Sequence, residues 1–93
     1  MANFVIKKDG TKEPFDVEKV KKGVAAAARM ANLPGEEIGK LINQVSVAIT
    51  QLAEGKEEIT TTEIKEKILA ELDILAPSAS EAWRKYEQEK TKA

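Results

Sequence analysis

A chain of 93 residues with 15 basic and 16 acidic side chains has room for one domain, which we expect to span residues 1–93. It contains no cysteine and no histidine, which excludes disulfides, thiol nucleophiles and the common zinc sites. Its near balance of charge argues against sequence-independent binding to nucleic acid. No apolar run approaches the ~20 residues of a membrane span or forms a signal peptide, so we expect a cytoplasmic protein that does not contact a membrane.

The first predicted element is a β-hairpin around the dipeptide Asp9-Gly10, a loop that supplies the positive φ angles of tight hairpin turns. If these two residues form the whole loop, Lys7 lies opposite Lys12. The same register pairs Phe4 with Phe15 at the open end of the hairpin. Two opposed lysines repel each other by ~0.2–1 kcal/mol unless an anion lies near them, so this register hints at an anionic ligand.

The first helix is predicted to run from Val17 to about Ala31, with Asp16 as the N-cap that accepts hydrogen bonds from free backbone N–H groups. Phe15 before the cap and Val20 after it have the spacing of a hydrophobic staple. The staple would set the angle between the hairpin and the helix.

Lysines of the hairpin and of the first helical turn are expected to meet at the positive end of this helix; they are Lys7, Lys8 and Lys19. Such a cluster suits a phosphate chain. Residues 1–22 carry six lysines against four acids, whereas residues 23–93 carry nine basic against twelve acidic side chains, so the cationic surface is local. Spacing alone leaves a second interpretation open, in which these lysines only keep the surface soluble.

A second helix is predicted from Glu36 to Glu54, after a break at Pro34-Gly35 and before a plausible C-cap at Gly55. Its apolar residues recur at helical spacing and indicate a buried face; they are Ile38, Leu41, Ile42, Val45, Ala48, Ile49 and Leu52. The segment Glu57–Ile59 is predicted to add a third strand to the hairpin.

The third helix is predicted to begin after Thr60, which forms a capping box with Glu63, and to end near Asp73. A fourth helix is predicted to begin at Pro77 and to carry Trp83 on its apolar face. We interpret Trp83 as a core residue, and a platform for a ligand is the alternative. Together the elements predict an α+β fold, in which a small antiparallel hairpin or three-stranded sheet caps a bundle of about four α-helices.

The segment V-I-K-K-D-G-T-K-E-P-F-D-V-E-K-V, from Val5 to Val20, resembles the opening of the ATP-cone domain. That domain is the nucleotide-binding regulatory module of ribonucleotide reductase large subunits, and a similar module occurs in the bacterial ribonucleotide reductase repressor. The resemblance extends through I-T-T-T-E-I-K-E-K-I at Ile59–Ile68 and weakly through A-W-R-K-Y at Ala82–Tyr86. It implies binding of ATP or dATP, with Mg²⁺ at the phosphates, and control of a partner such as ribonucleotide reductase or of a homo-oligomer.

By position, the resemblance implies that the first strand holds the base or ribose edge, that lysines contact phosphates, and that Glu13 and Asp16 serve base or sugar recognition. Thr61 and Lys65, four residues apart on one helical face, are implied to approach the nucleotide. The full implied nucleotide-binding set is Val5, Ile6, Lys7, Lys8, Glu13, Phe15, Asp16, Lys19, Thr61 and Lys65. The sequence departs from the family pattern at Lys8, which is often arginine, and at Glu87, which follows Tyr86 where a Tyr-Arg pair is typical.

No catalytic constellation and no common phosphate-binding loop occurs in the sequence, so we expect neither an enzyme nor a metal site of its own. The zinc ribbon that precedes the module in the repressor is absent, so we do not expect this chain to be such a repressor by itself. One alternative is a degenerate cone that acts as an interaction or dimerisation module without nucleotide. A second is nucleic-acid binding by the basic hairpin, which predicts salt-sensitive binding to any duplex; the balanced charge leads us not to expect nucleic acid as a partner.

Overall fold

The computed structural model describes residues 2–92, in which three short strands and four helices follow one another along the chain. They are β1 (Phe4–Ile6), β2 (Lys12–Pro14), α1 (Val17–Met30), α2 (Gly35–Glu54), β3 (Glu58–Thr60), α3 (Thr61–Leu75) and α4 (Pro77–Lys92). The predicted α+β class, a small sheet on a bundle of four helices, is confirmed. No helix in the described range is long and apolar enough to cross a membrane.

The sheet has the strand order β2-β1-β3, with β1 in the centre. Strands β1 and β2 run antiparallel, as a hairpin requires, whereas β3 joins the other edge of β1 in parallel, so the sheet is mixed. Val5 pairs with Ile59 in the parallel register. Both side chains are buried, because they face the end of α2 and pack there with Ala2 and Ala53.

The hairpin register is shifted by one residue from the predicted one. Phe4 lies opposite Pro14, so the predicted Phe4–Phe15 pair does not form, and Ile6 rather than Lys7 lies opposite Lys12. The predicted lysine–lysine repulsion was therefore wrong, and it no longer argues for an anion.

A three-residue loop explains the shift. The N–H of Lys7 donates to the carbonyl of Thr11 at 2.8 Å, and the N–H of Gly10 donates to the carbonyl of Lys7 at 2.9 Å. Gly10 has φ +89°, the left-handed conformation that closes this type of turn and that glycine adopts without steric cost. Asp9 favours the longer loop, because its Oδ1 accepts hydrogen bonds from both the backbone N–H and the hydroxyl of Thr11, at 3.0 and 2.7 Å.

The four helices pack side by side, α1 against α2 and α4, and α3 against the same two helices. Their shared core is aliphatic, as the composition predicts; its buried members are Val20, Val24, Ala28, Leu41, Val45, Ile49, Ile68, Leu72 and Ala79. Phe15 and Ile64 touch both this core and the smaller cluster under the sheet. These two side chains therefore join the sheet to the bundle.

Both predicted helix starts that border the sheet are confirmed. Asp16 caps α1, since its Oδ1 accepts from the N–H of Glu18 at 3.0 Å. Thr60 caps α3, where its hydroxyl accepts from the N–H of Glu63 at 3.1 Å and the Glu63 carboxylate accepts from the N–H of Thr60 at 2.9 Å. The first turns of α1 and α3 are thus held in place by their own side chains.

Helix α3 continues two residues beyond its predicted end at Asp73, to Leu75. Asp73 faces α4, where Arg84 donates to both of its carboxylate oxygens, at 2.9 and 3.0 Å, and the buried hydroxyl of Ser80 donates to Oδ1. The guanidinium and then the hydroxyl hold the pKa of Asp73 at about 2. This group fastens α4 to the end of α3.

Candidate functional site

A cleft of about 390 Å³ opens where the hairpin meets helices α1, α3 and α4. Its volume lies within the range of small-molecule sites, which is about 300–1,000 Å³. Eight of the ten predicted nucleotide-binding residues line it: Val5, Lys8, Glu13, Phe15, Asp16, Lys19, Thr61 and Lys65. The structure therefore brings together residues that lie sixty positions apart in the sequence.

One wall of the cleft is apolar. It is formed by side chains that also belong to or pack on the two hydrophobic clusters; they are Val5, Phe15, Val20, Ile64, Ile68 and Trp83. Since these residues are anchored in the core, the wall is preformed. A flat apolar ring would bury surface there without a change of fold.

The N-terminal ends of α1 and α3 supply a polar part of the cleft. The first turn of α1 contributes Asp16 and Lys19 to the lining, and the first turn of α3 contributes Thr61 and Thr62. Helix N-termini carry partial positive charge and N–H groups without intrahelical partners, so two of them at one cleft favour an anion.

Glu13 holds two lysines at one edge of the cleft. Its carboxylate lies 2.9 Å from the ammonium of Lys7 and 3.5 Å from that of Lys19. The hydrogen bond from Lys7, and then the charge of Lys19, hold the pKa of Glu13 below its ordinary value. The pKa of Lys7 is raised in turn by its bond to Glu13. Glu13 is therefore an ionised acceptor, suited to an amine or hydroxyl donor of a ligand.

A second ion pair spans the cleft from α3 to α4. The ammonium of Lys65 lies 3.2 Å from a carboxylate oxygen of Glu87, and both side chains are about one third exposed, at 36% and 33%. Both residues line the cleft. An acid that stands where the family pattern has a cation thus contacts one of the predicted ligand residues directly.

Two predicted site residues do not line the cleft. Ile6 points to the other face of the sheet, where its register partners are Lys12 and Thr60. Lys7 touches the site only through Glu13. Ile6 was implied by the resemblance alone, and Lys7 also by the expected lysine cluster. Strand alternation explains why Ile6, the next residue after Val5, faces away from the cleft.

Other lining residues were not in the predicted ligand set, among them Thr62, Trp83 and Glu87. Trp83 packs on the core, as predicted, but its ring also forms part of the cleft wall. Its indole N–H is buried and has no hydrogen-bond acceptor among residues 2–89. Two sequence signals pointed to α4: the weak resemblance at Ala82–Tyr86 and the departure from the family pattern at Glu87.

Among the residues that the structure describes, no group of three or more carboxylates lies close enough to hold a metal ion. Any divalent cation at the cleft would therefore need most of its ligands from a bound molecule or from water.

Comparison with known proteins places this geometry in context. The family model of the ATP cone domain matches residues 3–90. The transcriptional repressor NrdR of Lactobacillus delbrueckii subsp. bulgaricus is 41% identical over 76 residues, which cover 78% of this chain and 48% of that protein. Proteins of the same name from Chloroflexus aggregans and Bdellovibrio bacteriovorus are each 35% identical, covering 74% and 77% of this chain and 38% and 36% of the relatives. The chain spans about half the length of these relatives, or less.

These relatives overturn one expectation. Nucleic acid was not expected as a partner, and this was wrong, because the relatives are transcriptional repressors, proteins named for an action on gene transcription. The expectation rested on the near balance of charge within 93 residues. That balance measures only the direct attraction of this chain to a phosphate backbone, and it carries no information on an assembly in which other segments supply the contacts.

Proposed function

The chain belongs to the ATP-cone domain family, and on that premise we propose that it is a non-catalytic sensor of adenine nucleotides, ATP or dATP. One observation carries the proposal: a single cleft joins a preformed apolar wall to three lysines and to the N-terminal ends of two helices. A nucleotide has the same two-part chemistry, with a flat base at one end and a polyanion at the other.

The base would lie on the apolar wall, against Phe15 and Trp83. The carboxylates of Glu13 and Asp16, which line the cleft, would accept hydrogen bonds from donors of the adenine or the sugar. The phosphates would lie near Lys8, Lys19 and Lys65. Lys7, outside the lining, would act by orienting Glu13.

Mg²⁺ is part of the proposed ligand rather than of the protein. Mg²⁺ keeps several waters and is commonly bound through one or two carboxylates together with phosphate oxygens. The carboxylates of the cleft, Glu13, Asp16 and Glu87, are the groups that could reach such an ion.

We further propose that the nucleotide controls the assembly or activity of a larger regulated unit. A ligand shifts such an equilibrium only by its difference in affinity between two states. Ribonucleotide reductase is one such partner by family; a transcription regulator that acts on nucleic acid is the other, in keeping with the relatives' name. In both cases this chain would supply the nucleotide-dependent signal.

The test is a calorimetric titration of the purified chain with ATP and with dATP, each with Mg²⁺, together with its mass from light scattering. The double variant Lys8→Gln with Lys19→Gln removes two cations from the cleft. Because a hydrogen bond to a charged group contributes about 1.5–3 kcal/mol, we expect the affinity to fall at least about tenfold.

A matched control is Lys12→Gln with Lys21→Gln. These lysines lie in the hairpin and in α1, as Lys8 and Lys19 do, and they make ion pairs outside the cleft, with Glu58 and Glu18. The control carries the same change of charge and should bind as the original chain does. Equal loss in both double variants would refute the assignment of the cleft.

Failure of the original chain to bind either nucleotide would instead favour the interaction module. The surface for it would be the groove of about 310 Å³ between α1 and α4, where Met30 and Tyr86 are half exposed.

A further inference from the structure

The ion pair between Lys65 and Glu87 occupies a position that the proposed ligand also needs. Lys65 is on α3, Glu87 is on α4, and the 3.2 Å contact between their charged groups bridges these helices at the cleft. A carboxylate and a phosphate offer the same chemistry to an ammonium, namely anionic oxygens that accept charge-assisted hydrogen bonds. The two acceptors therefore compete for one donor.

We propose that Glu87 is an internal competitor for the phosphates of the nucleotide, one that lowers the affinity of the cleft and is displaced from Lys65 on binding. The inference rests on the proposed function and adds to it the residue that sets how tightly the ligand is held.

The charges around the cleft support this role. The lining contains three lysines and three carboxylates: Lys8, Lys19 and Lys65 with Glu13, Asp16 and Glu87. Lys19 is already paired with Glu13, and Lys65 with Glu87. A polyanion thus meets lysines whose charge is largely compensated, and it must exchange one ion pair for another to gain each contact. The affinity is lower than three lysines alone would give.

Displacement of Glu87 also has a structural consequence. The pair with Lys65 links α3 to α4 at the cleft, whereas Asp73 and Arg84 link the same helices at the far end of α3. A ligand that takes Lys65 removes the first link and leaves the second. The C-terminal half of α4 then has one fewer contact that holds it to α3. Binding of a ligand in the cleft would therefore loosen this part of α4.

The experiment compares Glu87→Gln with Glu81→Gln, an identical change of charge at an exposed position of the same helix outside the cleft. Each variant is titrated with MgATP and, separately, with adenosine, which has no phosphate. We expect Glu87→Gln to bind MgATP about threefold to tenfold more tightly at low salt and adenosine unchanged, and Glu81→Gln to change either affinity by less than about twofold. The gain should shrink at 0.5 M salt, since exposed charges are screened.

A second background tests the pairing itself. In Lys65→Gln the ion pair between residues 65 and 87 is absent, so adding Glu87→Gln should give clearly less than the gain seen with lysine present. The inference is overturned if Glu87→Gln binds MgATP no more tightly than the original chain, or if the gain is undiminished in the Lys65→Gln background. If the original chain binds MgATP and Glu87→Gln binds it no more tightly, this inference alone is refuted. If neither the original chain nor Glu87→Gln binds MgATP, the proposed function is refuted as well.

Discussion

Replacement of Thr60 by alanine tests how much the N-cap of α3, beside the cleft, contributes to the free energy of unfolding. The Thr60 hydroxyl accepts from the backbone N–H of Glu63 at 3.1 Å, and alanine leaves that N–H without its cap. The reciprocal bond, from the Thr60 N–H to the Glu63 carboxylate at 2.9 Å, uses only backbone of residue 60 and survives. We therefore expect the cost of losing one half of a capping box, about 1 kcal/mol within a range of about 0.5–2.

For a domain of this size, a loss of about 1 kcal/mol lowers Tm by about 4–8 °C. In urea, with an m value of about 1 kcal/mol/M, the midpoint should fall by about 1 M at unchanged m. Fluorescence of the single tryptophan, Trp83, follows the transition, since this residue packs against the helical core.

Thr60→Ser is the matched control, because serine keeps the hydroxyl and loses only a methyl group. It should retain most of the stability that alanine loses. The reasoning is refuted if serine is as destabilising as alanine, or if the alanine variant unfolds within about 0.3 kcal/mol of the original chain.

Two further predictions concern the helical bundle. The pKa of Asp73 is held at about 2, below its ordinary value of 3.8, so its pair with Arg84 contributes stability that is complete above about pH 4 and is lost as the pH falls towards 2. Asp73→Asn should flatten this part of the curve of unfolding free energy against pH; an unchanged slope would contradict the assignment. Leu72→Ala, at a fully buried position, should cost about 2–5 kcal/mol, whereas Leu75→Ala, at a position 39% exposed, should cost under about 1 kcal/mol, both measured by urea denaturation.

The parts of the fold that the sequence predicted are those with local causes. Asp16 and Thr60 mark helix starts because a cap acts on N–H groups two or three residues away. The hairpin loop also has a local cause, but its length depends on the hydrogen bonds that the Asp9 carboxylate accepts from Thr11. The Asp-Gly dipeptide pattern alone does not reveal these bonds. The parallel entry of β3 could not be read from Glu58–Thr60 alone, because strand direction is set by where α2 returns the chain.

The residues of the candidate site also differ in whether a local sequence pattern could predict them. Residues of the Val5–Lys19 segment were found because their motif is contiguous, and six of the eight residues predicted there line the cleft. Glu87 was noticed only as a departure from a pattern. Its contact with Lys65 depends on how α4 packs against α3, a tertiary relation that no local spacing encodes.

The parallel pairing of Val5 with Ile59 has a consequence for how the chain acquires its binding site. A local hairpin forms by closing a few residues, but this pairing must close a loop of more than fifty, an ordering cost that is met only when α1 and α2 are packed in between. The lysines of the first 22 residues therefore gain the opposite wall of the cleft only late in folding. A peptide of that segment alone would carry the basic motif without the pocket. A nucleotide that binds only the complete cleft would stabilise the whole folded chain against unfolding.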